Sequence, residues 1–155
     1  MSKEELIGEI AQELRRLQQS FDAFDEAVSA HLGLNRTDLR CLDIVLGAGR
    51  LSAGELSTAL RLSPAATTTV VDRLIRAGMV TRTEDSENRR RKIIEGTAKA
   101  ARVADEIFEP VARAGTQALG RFDIGELRTA LEFLRVAKEV QQSQIARVAQ
   151  LGGTT

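Results

Sequence analysis

A chain of 155 residues, 43% apolar and 28% charged, has room for one domain with its own core and is ordinary for a globular protein. No apolar run approaches the roughly 20 residues of a membrane helix, and Met1-Ser2-Lys3-Glu4-Glu5 lacks the basic start and apolar stretch of a secretory signal, so a cytoplasmic chain without membrane contact is expected. One cysteine excludes an internal disulfide, and a net charge of zero excludes a protein that coats nucleic acid on every face.

The charge is unevenly spread: Met1 to Asp38 holds four Lys/Arg against eight Asp/Glu, whereas Arg61 to Lys92 holds eight against four. Such local basicity points to one face that meets phosphate. With Tyr and Trp absent, and with Ala, Leu, Glu, Arg and Gln recurring at helical spacing, a mainly α (α+β) chain is expected.

From Glu4 to about Ala30, Leu6, Ile10, Leu14, Leu17, Phe21, Phe24 and Val28 step by three and four, which predicts a long amphipathic helix. A second helix is expected from about Thr37 to Leu46, with Leu39, Leu42, Val45 and Leu46 inward, ended by Gly47-Ala48-Gly49. Ser52 and Glu55 form a capping box that starts a third helix at Ala53, with Leu51 and Leu56 as its staple. Ser63-Pro64 then supplies a new N-cap with proline in the first turn, and a second short helix runs from Pro64 to Ala77, closed by Gly78.

After Gly78 the pattern turns extended. Met79 to Thr83 reads as a strand, Glu84 to Arg89 as a polar tip, and Arg90 to Ile94 as the returning strand. A long helix resumes at Thr97 through Leu119, with a bend expected at Pro110, and Phe122-Asp123-Ile124-Gly125-Glu126-Leu127 repeats the cap, box and staple before a last helix through Val148. Residues 151–155 are expected to be a flexible tail.

Two short helices joined by a tight turn and followed by a basic hairpin describe a winged helix-turn-helix. On the second of them Thr67, Val70, Val71, Leu74 and Gly78 share an inward side. The opposite side presents Ala65, Thr69, Asp72 and Arg76, flanked by Ala66, Thr68 and Arg73, with Ser63 at its start. Small and hydroxylated residues let a helix backbone approach the floor of the major groove, where Ala and Thr methyls meet thymine methyls and Arg bonds guanine or phosphate. The tip from Asp85 to Lys92 packs Arg89, Arg90, Arg91 and Lys92 together, a group suited to the minor groove or the phosphates, with Asp85 placed to hold a wing arginine.

These segments resemble the multiple-antibiotic-resistance regulator (MarR) family. The resemblance lies in Leu56 to Pro64, Val70 to Arg82 and the Asp85 to Arg91 wing, with Asp-Arg-Leu, Gly-x-Val-x-Arg and Asp-x-x-x-Arg-Arg in the same order. It implies a homodimer whose first and last helices interlock, a pseudo-palindromic operator, usually a repressor role, and DNA contact at Arg73, Arg82 and Arg90. Domain organisation follows: dimerisation helices at 1–34 and 97–150, and a DNA-binding lobe at 35–96, within one structural domain. Thr69 departs from an arginine common in such proteins, Asn88 from an acidic residue, and Gly96 to Ala100 from Leu-Thr-x-x-Gly, so Gly96 is expected to weaken the junction into the following helix.

The long helices also carry more apolar stripe than a small winged lobe can cover, which independently calls for a second copy. No nucleophile with a base, no metal-ligand spacing and no cofactor motif occurs, so catalysis is not expected; His31 and Cys41 stand alone. Cys41 reads as a buried structural residue and His31 as a helix C-terminal one. The resemblance implies a small amphipathic or aromatic effector, for which Phe21, Phe24, His31 and Arg40 are the pocket candidates. The other reading open at this point is a helical dimerisation or protein-interaction module without DNA recognition.

Overall fold

Helix starts follow from local side-chain chemistry in the computed structural model, which describes residues 1–151. Ser2 accepts the Glu5 N–H while Glu5 accepts that of Ser2, opening α1 (Lys3–Leu32). Asn35 and Asp38 do the same for α2 (Arg36–Ala48), and Ser52 with Glu55 for α3 (Ala53–Leu60). Each box satisfies two otherwise orphaned donors, which fixes the helix start sharply. Ser63 caps α4 (Pro64–Arg76), whose first-turn proline has no N–H to orphan.

Three strands complete the lobe: β1 (Arg50–Ser52), β2 (Val80–Glu84) and β3 (Lys92–Gly96), in the order β1-β3-β2 and all antiparallel. β1 escapes sequence reading because three residues show no periodicity. It forms because Leu51 pairs opposite Ile94 at the free edge of β3. The returning strand also begins two residues later than expected. Asp85 Oδ1 accepts the Glu87 N–H, Asn88 Oδ1 accepts that of Arg90, and the Asp85 N–H bonds the Arg91 carbonyl, so these side-chain turns absorb Arg90 and Arg91 into the tip.

The lobe's core is built from α2, α3, α4 and the sheet: Cys41, Leu42, Val45, Leu56, Leu60, Val70, Val71, Leu74, Val80 and Ile94 pack as one cluster. Each fully buried aliphatic there contributes roughly 1.5–3 kcal/mol of transfer free energy. On α4, Thr67, Val70, Val71 and Leu74 are buried, the inward face that its spacing predicts.

Gly96, expected to weaken the junction into the following helix, lies close beside the Leu46 side chain. A Cβ at this position would lie 2.6 Å from the Leu46 Cδ2, so a larger residue here would have to turn the end of the Leu46 side chain aside. The turn into α5 (Ala98–Leu119) is pinned by Thr97, whose hydroxyl donates to the Gly78 carbonyl at 2.7 Å and accepts the Ala100 N–H at 3.1 Å. Lys99 adds a hydrogen bond to the Ala77 carbonyl at the end of α4.

The chain divides into a unit through Ile107 and a second one from Phe108 onward. α5 is continuous through Pro110, the residue at which a bend is expected. In the second unit, Asp123 and Glu126 form the box that opens α6 (Ile124–Leu151), a helix none of whose residues is buried. The expected tail lies, beyond Leu151, outside the described residues. No described helix is long and apolar enough to cross a membrane.

Cys41 is fully enclosed on α2. Burial first, and the Asp38 carboxylate second, push its thiol from an ordinary value near 9.0 up to about 11. At pH 8 only about one thiol in a thousand is then ionised. Native protein at pH 8 should show no fast titration by a thiol-disulfide reagent, and one equivalent per chain in denaturant; rapid native reaction would refute the buried, inert assignment. The folded state holds this proton more tightly than the unfolded one, so the thiol's contribution to stability is intact below about pH 9 and is lost as pH rises toward 11.

Candidate nucleic-acid interface

The α4 surface is set by how its threonines spend their protons. Ser57 donates to Thr67 Oγ1 at 2.9 Å, and Thr67 donates to the Ser63 carbonyl at 3.0 Å, which locks α3 to α4 on the inner side. On the outer side Thr68 donates to the Pro64 carbonyl at 2.9 Å and Thr69 to the Ala65 carbonyl at 3.1 Å. With their protons turned back to the helix, both exposed hydroxyls present acceptor lone pairs and a methyl group outward. Ala65 and Arg76 are exposed beside them, Ala66 is half-buried, and Ser63 uses its hydroxyl to cap the Ala66 N–H.

Arg73 sits differently from the outward position its spacing suggests. Its Nε bonds Asp38 Oδ1 at 2.9 Å and Oδ2 at 3.1 Å, and its Nη2 bonds Oδ1 at 2.7 Å. Asp38 is buried on α2, so this fork ties α4 to α2. Hydrogen bonding to Asp38 also raises the Arg73 pKa above its ordinary value.

Other cations in the lobe are likewise committed. Arg82 on β2 bonds Asp72 of α4 at 2.8 Å, and Lys92 bonds Glu84 across the hairpin at 2.8 Å. Arg91 lies 3.3 Å from Glu55 and 3.7 Å from Asp85, so Asp85 has a wing arginine within reach. The Ser52 main-chain N–H, then the Ser52 hydroxyl and Arg91, hold the exposed Glu55 carboxyl below its usual range. Arg76, Arg89 and Arg90 are exposed and make no ion pair among the described residues.

A concavity of about 800 Å³ opens between α3, α4 and the hairpin, lined among others by Gly54, Thr58, Arg61, Thr68, Arg82 and Lys92. Sequence reading singles out Thr68 and Arg82 but passes over Arg61, Thr58 and Gly54. Their signal is only positional: a cation at the helix-to-helix turn, and small residues one turn apart on α3.

Of the four pocket candidates, Arg40 lines a described cleft. Arg40, which donates to the Ala59 carbonyl at 3.4 Å, lines a cleft of about 350 Å³ with Asp25, Arg36, Leu39, Asp43 and Leu60. Burial and the neighbouring Asp25 raise the Asp43 pKa there. Phe21, Phe24 and His31 are exposed on α1 and do not line that cleft. Among the described residues no group of three or more His, Cys, Asp or Glu is placed to hold a metal.

Comparison with known proteins bears on what this geometry serves. The sequence model of the MarR family matches residues 34–92, the span from just before α2 to the first residue of β3. An uncharacterized HTH-type transcriptional regulator of Bacillus subtilis, YcgE, is 31% identical over 149 residues, covering 96% of this chain and 97% of its own. A MarR family protein from Bacillus stearothermophilus shares the fold at TM-score 0.66 and 24% identity, over 94% of this chain and 99% of that one. A mutant of Escherichia coli MarR solved with operator DNA shares it at TM-score 0.57 and 17% identity, over 88% and 99%. With a relative at this identity aligned from end to end and the family's own pattern across the lobe, the chain belongs to the MarR family of winged helix-turn-helix transcriptional regulators.

Proposed function

We propose that this regulator is a homodimeric repressor that binds an inverted-repeat operator and releases it when a small amphipathic or aromatic effector binds. The observation that carries the DNA reading is the pairing of an outward Thr68-Thr69 face on α4 with the uncompensated Arg89 and Arg90 of the adjoining wing. Residues 35–96 form the DNA-binding lobe and residues 1–34 and 97–150 the dimerisation helices. The setting is cytoplasmic. The operator-bound E. coli relative supports this reading by analogy of fold.

Within the site, Thr68, Thr69, Ala65 and Ala66 face bases, Ser63 and Arg76 meet the backbone at the two ends of α4, and Arg82, Arg89 and Arg90 meet phosphate or the minor groove. Arg73, Arg91 and Asp85 position these elements. Two recognition helices related by a two-fold axis read half-sites about one DNA turn apart, roughly 34–36 Å or a multiple of it. An effector works only by binding better to a dimer whose helices no longer match that spacing.

Selection of bound sequences from random duplexes tests this, with an inverted repeat as the expected result. Recovery of no motif supports the interaction-module reading instead. On the selected site Arg90→Ala should weaken binding to every sequence and lower the slope of log K against log salt by about 0.9 per protomer. Thr68→Val keeps the methyl and removes the acceptor, so it should cost affinity only where an adenine or cytosine amino group faces the residue, by roughly 1–3 kcal/mol per half-site. Equal losses on all sequences would refute base contact by Thr68.

A further inference from the structure

We propose that the concavity between α3, α4 and the hairpin seats a backbone phosphate of the bound duplex, with Arg61 as its anchoring cation. The inference rests on the duplex-binding reading and adds a contact residue to it.

Charge is the first argument. Arg61, Arg82 and Lys92 line the concavity and no carboxylate does. Arg82 is paired with Asp72 and Lys92 with Glu84. Arg61 is exposed and has no hydrogen bond or ion pair from its guanidinium among the described residues. An oxyanion entering this space therefore meets one cation that need give up no partner, while the charges of Arg82 and Lys92 are offset by their carboxylates.

Backbone conformation is the second. Arg61 is the sole non-glycine residue with positive φ among the described ones, at φ 56° and ψ 42°. The turn demands this: the Arg61 N–H bonds the Thr58 carbonyl at 3.2 Å and the Leu62 N–H bonds the Ser57 carbonyl at 3.1 Å, closing α3 in the manner that ordinarily takes glycine or asparagine. A long cation is thus held where the backbone prefers a residue without one, and nothing among the described residues uses its charge. The turn accounts for the conformation but not for the cation, and an off-preference position that keeps a long cation is one that functional residues occupy.

Access is the third. Gly54 has no Cβ on the α3 wall, and a Cβ there would meet nothing closer than Ser52 Oγ at 4.0 Å, so the wall stands back. Thr68 shares the rim, which sets the seat beside the bases that α4 faces. A phosphate held by Arg61 therefore fixes how far the N-terminus of α4 enters the groove, a positioning contact indifferent to sequence.

The test compares the full-length protein with Arg61→Gly, Arg61→Asn and Arg61→Lys on the selected operator and on a scrambled duplex, across a salt series, alongside thermal unfolding. Glycine and asparagine suit the left-handed turn, so their melting temperatures should equal or exceed the parent's. Affinity for both duplexes should nonetheless fall, by roughly fivefold per protomer, and the salt slope should drop by about 0.9 per protomer. Lysine should restore most of both. Parental affinity and slope in the glycine variant overturn the proposal, as does a loss confined to the operator, or a failure of lysine to restore binding. Lower melting temperatures in both the glycine and asparagine variants also overturn it, by making Arg61 structural. Absence of duplex binding by the parent protein would instead overturn the DNA reading itself.

Discussion

Arg73→Ala should lower the free energy of unfolding by about 3 kcal/mol, the largest loss expected from any single surface-reaching side chain in the lobe. The reason lies in its partner. The Asp38 side chain is 4% exposed against 35% for Arg73, so removing the guanidinium strands a buried carboxylate whose remaining side-chain hydrogen bond is the long one, 3.4 Å, from the Asn35 N–H. The reverse change is gentler: after Asp38→Asn the partly exposed guanidinium turns to water, for a loss of roughly 1–2 kcal/mol. Combining Asp38→Asn with Arg73→Met should cost less than the sum of the two single changes, because no buried charge is left unpaired. Urea unfolding at fixed protein concentration measures this, and the corresponding fall in melting temperature for Arg73→Ala is roughly 6–12 °C. A loss under about 0.5 kcal/mol would show the fork to be idle and return Arg73 to the DNA face.

That pair marks the boundary of what sequence can reveal. Ser52 with Glu55 and Ser63 with Pro64 announce their helices because the cap and its partner lie three residues apart or fewer, and the α4 core side follows from period alone. Asp38 and Arg73 stand 35 residues apart, and no local rule tells an arginine free for phosphate from one folded back onto a buried acid. β1 is invisible for the same reason, since Leu51 becomes a strand residue only when Ile94 arrives opposite it. The wing tip fails in another way. Its Arg run reads as strand continuation, yet Asp85 and Asn88 bend the chain through side-chain hydrogen bonds whose geometry composition does not encode. Arg61 is the hardest case, because a left-handed turn is ordinarily betrayed by glycine or asparagine and this one carries neither.

Val140→Asp on α6 should give the largest functional effect, converting the protein to a monomer at micromolar concentration and lowering operator affinity by roughly 100-fold or more. α6 presents Leu131, Leu134, Val140, Ile145 and Val148 on its surface, each about half exposed, and α1 in the other unit separately exposes Leu6, Ile7, Ile10, Leu17 and Phe21. Apolar stripes of this length are covered in a working protein, and a second copy offers complementary stripes of the same kind. An aspartate in place of Val140, on the side of α6 that also carries the exposed Phe133 and Val136, must be desolvated without a partner, which outweighs the contribution of a single valine several times over. The DNA consequence follows from linkage. In a dimer, docking of one lobe presents the other to its half-site at millimolar effective concentration, and separated chains lose that advantage entirely. Val140→Ala, which removes volume without adding charge, should weaken the dimer only modestly and keep most of the affinity. Sedimentation equilibrium and operator titration on the three proteins decide the matter. A parent protein that is already monomeric, or an aspartate variant that stays dimeric with parental affinity, would show that α6 does not hold the pair together.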